Sequence, residues 1–156
     1  MKTIRRTISI ESDPQTVFDV IGDPTRYSDF LVGITRWESR SRKRRGVGAR
    51  YRVLMRVGSI DVGGLIRVER WEEPDLIAWT WEEGVHQEGR WELKEIDDGT
   101  EVAFEIGFDL SGGPVGSLVE HLAGRIVGRN MWASLLAARR LIESDSGAGD
   151  RPQALH

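Results

Sequence analysis

Between Ile34 and Leu110 the chain repeats one pattern six times: a segment with apolar residues at every second position, then a turn of a few residues. Period-2 alternation marks strands with one face buried and one in water, and connections this short join antiparallel neighbours. The segments are 34–40, 49–57, 60–71, 76–81, 86–96 and 100–110. The second is the cleanest, setting Tyr51, Val53, Met55 and Val57 against Arg50, Arg52 and Arg56. Gly58-Ser59, Glu73-Pro74-Asp75 and Asp98-Gly99 supply turn chemistry between them, and Gly63-Gly64 inside the third predicts a bend or bulge that curves the sheet.

The flanks differ. Residues 3–10 form another alternating strand, with Ile4, Ile8 and Ile10 in even register. Ser12-Asp13-Pro14 then reads as a cap followed by proline at the first helical position, and Val17, Phe18 and Ile21 share a face before Gly22. Asp23-Pro24 starts a second short helix through Tyr27 and Phe30. After the break at Gly112-Gly113-Pro114 there is no proline up to Ser144, and Val115, Leu118, Val119, Leu122, Ile126, Met131, Leu135 and Ile142 recur at roughly helical spacing. Gly124 and Gly128 interrupt this helix, marking a bend or a place where something comes close. Residues 145–156 have the composition of a disordered tail, which leaves one domain over 1–144.

These elements specify an α+β fold: a curved, seven-stranded antiparallel sheet, two short helices and one long C-terminal helix. The long helix is the element large enough to cover the sheet's apolar face, and curvature holds the centre of the sheet away from it. An apolar cavity between them is the expected result. At 156 residues a single core suffices, and six tryptophans must find apolar surroundings somewhere in it. The net charge of -3 provides no global attraction for nucleic acid. With no cysteine, disulfides, thiolate metal sites and cysteine nucleophiles are excluded. No segment approaches the ~20 apolar residues that span a bilayer, so the cytoplasm is the expected compartment.

The sequence resembles the START-like (SRPBCC, helix-grip) superfamily of polyketide cyclases and lipid-transport proteins. The resemblance rests on Ile8-Ser9-Ile10, Pro14, the run Val17-Phe18-Asp19-Val20-Ile21-Gly22-Asp23-Pro24, and Tyr27 with Phe30. Gly46-Val47-Gly48 and Asp98-Gly99-Thr100 before their strands, and the closing helix, extend it over residues 2–143. It implies the helix-grip fold and a ligand cavity. Members of that superfamily include carriers, aromatase and cyclase subunits, sensors and stress-response proteins.

Candidate ligand-binding residues follow from alternation: Trp79, Trp81, Trp91, Phe104 and Phe108 on the sheet, opposite Leu118, Leu122 and Ile126 on the helix. The same side chains would also serve as a solid core. Glu95, in register with Trp91 and Leu93, and His121, beside Leu122, are possible polar pocket residues; solvent-facing positions are the alternative for both. His86, His121 and His156 match no metal spacing, so neither a metal nor a cofactor is expected, and no catalytic set is assigned. Arg42, Lys43, Arg44 and Arg45 form a basic turn, either a solvated hairpin tip or a transient contact with an anionic membrane. The expected function is carriage of a small hydrophobic molecule, such as a lipid, polyketide or isoprenoid. A cyclase, aromatase or dehydratase acting through a proton-transfer group is the alternative, and a protein- or ribosome-interaction module a third.

Overall fold

A computed structural model describes residues 1–110 and 116–150. Seven strands, β1 (Lys2–Ile10), β2 (Ile34–Ser39), β3 (Arg50–Val57), β4 (Ile60–Glu72), β5 (Leu76–Gly84), β6 (His86–Ile96) and β7 (Gly99–Asp109), form one sheet in the order β1-β7-β6-β5-β4-β3-β2. All neighbours are antiparallel, as the short turns require. Strand β1 returns across the sheet to pair with β7. Helices α1 (Pro14–Ile21) and α2 (Tyr27–Phe30) follow β1, and α3 (Gly116–Asp150) closes the domain. The predicted break at Gly112-Gly113-Pro114, Val115 and residues 151–156 with His156 lie outside the described residues; α3 itself continues past Ser144.

Local chemistry explains the element ends. Asp13 is extended and accepts the Thr16 backbone N–H at 3.2 Å, leaving Pro14 to begin α1 where no donor is needed. In mid-strand, a Cβ on Gly63 would sit 2.0 Å from the Val53 carbonyl oxygen, and one on Gly64 2.0 Å from that of Glu83. Only glycine lets β4 come that close to β3 and β5 there.

The convex face of the sheet is charged. Arg5 reaches Glu92 and Glu105, Arg50 and Arg67 share Glu82, and Arg56 meets Asp61. These exposed pairs contribute little to stability, but they keep that face in water. The concave face receives α1, α2 and α3, with Val17, Phe18, Ile21, Leu135 and Ala138 fully buried. Phe18 meets Trp71 edge to face at 5.2 Å. Along the β1 edge, a Cβ on Gly124 would meet the Lys2 stem at 2.8 Å and one on Gly128 the Arg6 guanidinium at 2.7 Å. The close approach expected at these glycines is thus made by two side chains of β1, which lie across α3.

Candidate ligand-binding cavity

Strand polarity gives the domain two different ends. The turns after β2, β4 and β6 and the C-terminal part of α3 meet at one; those after β3 and β5, with the start of α3, meet at the other. At the first, Ile10, Phe18, Leu135 and Ile142 pack into the buried cluster. Towards the second, the space between sheet and helix opens into a cavity of about 130 Å³, measured by where water centres fit. One water needs ~10–15 Å³ by that measure, so the cavity has room for a small organic molecule. Val32, 38% exposed, lies on its rim.

The walls come from every layer. On the sheet, Trp91 stacks on Phe104 at 3.7 Å, and Trp79 tilts towards Phe104 at 6.4 Å. Trp79 fits because its neighbour across the ladder is Gly89, where a Cβ would stand 2.3 Å from the indole. The other half of the sheet contributes Trp37, Tyr51 and Val53, with Tyr27 of α2 packed 4.3 Å from Trp37. Trp37 Nε1 is buried without a hydrogen-bond partner among the described residues. The helix adds Ala123, Val127, Asn130, Met131 and Ser134. Ser134 Oγ accepts the Val32 N–H at 2.8 Å and donates to the Asn130 carbonyl at 2.7 Å, tying the α2–β2 connection to α3.

No described lining residue is Asp, Glu, Lys, Arg or His. The titratable groups on the wall are Tyr27 and Tyr51. Burial pushes the Tyr27 hydroxyl far up, and pushes that of Tyr51 up to about 12. Both therefore stay neutral at physiological pH. The Tyr51 hydroxyl also donates to the Arg44 carbonyl.

Of the residues expected at a site, Trp79, Trp91, Phe104 and Phe108 border the cavity, whereas Trp81, Leu118, Leu122 and Ile126 do not. Trp81 is 38% exposed and stacks on His86 at 3.7 Å. The β4–β5 register shifts beside it, and pairing of β5 with β6 stops at Thr80, so the alternation that carries Trp79 inward is not propagated. On α3 the inward stripe is Ala123, Val127 and Met131, continuing to Leu135; Leu118 and Leu122 face water at 69% and 54% exposure. Large apolar residues were a poor guide because small ones leave the cavity its room. Counting back in fours from Leu135 through Met131 finds Val127 and Ala123. Glu95, next to last in β6, and His121 are both exposed. Tyr27, Trp37 and Tyr51 border the cavity without being among the expected site residues, although Tyr51, Val53 and Met55 alternate as clearly as the expected aromatics.

Arg42, Lys43 and Arg44 are exposed at the packed end, away from the cavity rim. Arg45 pairs with Glu73 at 3.4 Å and lies over the Trp71 ring. No helix among the described residues is long and apolar enough to cross a membrane.

The family model for polyketide cyclase / dehydrase and lipid transport matches residues 1–143. The chain belongs to that family. Solved structures share the fold of this family member at low identity. The TTHA0849 protein of Thermus thermophilus superposes with a TM-score of 0.80 at 20% identity, covering 93% of this chain and 99% of that one. The Zhui aromatase/cyclase of Streptomyces sp. R1128 gives 0.79 at 18% identity, covering 97% and 99%. The di-domain aromatase/cyclase StfQ of the steffimycin biosynthetic pathway gives 0.70 at 11%, covering 93% of this chain and 51% of that one. No curated protein matches the sequence.

Proposed function

We propose that the protein binds and carries a small, uncharged hydrophobic molecule in the cavity between the sheet and α3. The observation that carries this reading is the wall itself, which is aromatic and aliphatic and, among its described residues, free of any charged side chain. Burial of the ligand's apolar surface supplies the driving force, at ~25 cal/mol per Å² before ordering costs. Trp79, Trp91, Phe104 and Phe108 form the aromatic contacts, facing Ala123 and Val127. A cyclase or dehydratase would need a group able to move a proton near pH 7. The two wall tyrosines, with hydroxyls held protonated by burial, are poor agents for that.

Titration with neutral one- to three-ring aromatic ligands tests the proposal, with tryptophan fluorescence as readout. Saturable quenching at one ligand per chain is expected, kept in Trp81→Phe and reduced in Trp91→Phe. Because both tyrosine pKa values are raised above their ordinary value, affinity should be flat from pH 6 to 9. No saturable response from any ligand would overturn the reading.

A further inference from the structure

The cavity wall has two amide side chains, both half-buried, with no hydrogen-bond partner among the described residues. Gln87 stands in register with Gly89 and Trp91 on β6, opposite Phe108, and therefore points to the concave side. Asn130 follows Ala123 and Val127 on the inward stripe of α3, its amide nitrogen lying where a Cβ on Gly33 would be 2.3 Å away. Neither amide is hydrogen-bonded to another described residue. Of the wall's other hydrogen-bonding groups, Ser134 both accepts and donates and the Tyr51 hydroxyl is held by Arg44, whereas Trp37 Nε1 is, like the two amides, without a partner among the described residues.

We propose that Gln87 and Asn130 form an uncharged polar subsite that selects ring ligands bearing a carbonyl or hydroxyl oxygen and rejects carboxylates. The inference rests on the carrier reading above and narrows its ligand class. Each carboxamide offers two donors and an acceptor, so either can serve a ketone or an alcohol. Placed at the edge of an apolar enclosure, such a group discriminates strongly. A ligand without oxygen occludes the amides and leaves them unpaired, whereas one with an oxygen replaces the lost water. A carboxylate would enter as a buried anion with no cation among the described wall residues to meet it. Plain hydrocarbons and free fatty acids are thereby disfavoured for different reasons. The stacked Trp91–Phe104 pair and Trp79 supply flat surfaces suited to a ring.

The test compares ligands that share one ring system: 2-acetonaphthone, 2-naphthol, 2-methylnaphthalene and 2-naphthoate, titrated against the full chain. The ketone and the alcohol should bind ~5–10-fold more tightly than the methyl compound, as one or two neutral hydrogen bonds allow, and naphthoate at least as poorly as the methyl compound. Gln87→Leu and Asn130→Leu should each reduce the oxygen preference, weakening the ketone and the alcohol and strengthening methylnaphthalene, which then leaves one amide fewer unpaired. Equal wild-type affinity for ketone and methyl compound would overturn the subsite but leave the carrier reading intact. So would a preference that survives in both variants. If none of the four probes binds while another neutral ring ligand does, the subsite falls alone; if no ligand of the one- to three-ring set binds, both proposals fall. The wild-type comparison decides the matter even if a variant does not fold.

Discussion

The two halves of α3 perform opposite tasks against the same sheet. Towards its C-terminus, Leu135, Ala138 and Ile142 are fully buried in the core cluster with α1 and the first strand. Towards its N-terminus, Ala123 and Val127 are just as buried by their neighbours but border empty space, while Leu118 and Leu122 point outward. One helix thus divides into a part that stabilises the domain and a part that shapes a cavity. Side-chain volume along a single stripe draws the boundary.

Leu135→Ala should break the packed half most severely. A void with no means of collapse costs about 2–5 kcal/mol, read as a lower midpoint in urea at unchanged slope. A loss below about 1 kcal/mol would show that this end also has slack. Val127→Phe probes the other half. The added ring enters the cavity, so stability should change by less than about 1.5 kcal/mol while affinity for neutral ring ligands falls at least ~10-fold. Unchanged affinity would move the binding site elsewhere. The smallest effect is expected at Asp13, which caps α1 over the packed half: Asp13→Ala should cost ~1 kcal/mol in the denaturant midpoint. Hydrogen bonds from Thr16 hold the Asp13 carboxyl below its ordinary value. Its contribution is therefore complete above the unfolded pKa near 3.8 and is lost as pH falls through the lower folded value. The stability gap between wild type and Asp13→Asn should accordingly shrink on acidification.

The architecture was legible because each strand announces itself locally. Alternation at Tyr51, Val53 and Met55, the Asp98-Gly99 turn and the cap before Pro14 all reflect forces acting within a few residues. The cavity was only half legible. Trp79, Trp91, Phe104 and Phe108 follow directly from strand alternation, but Trp81 does not, since a register shift arises between strands and has no local mark. The helix face was misread because size was taken as the sign of inwardness, which holds for a solid core and fails beside a void. Gln87 and Asn130 were invisible for a related reason: polar residues are ordinarily counted to the outside.

The crossing of α3 over Lys2 and Arg6 has a consequence for how copies of the chain meet. An open sheet is a template for another strand wherever its last backbone hydrogen bonds are left unmet. On one flank the helix lies against β1, brought close by Gly124 and Gly128, and the charged Lys2 and Arg6 side chains stand beside that edge. On the other flank β2 is six residues long, shifts register between Ile34 and Arg36, and carries the Arg36–Glu38 pair. A short, kinked, charged strand recruits partners poorly. The protein can therefore keep a hollow beside an unclosed sheet without growing into a ribbon of its own kind.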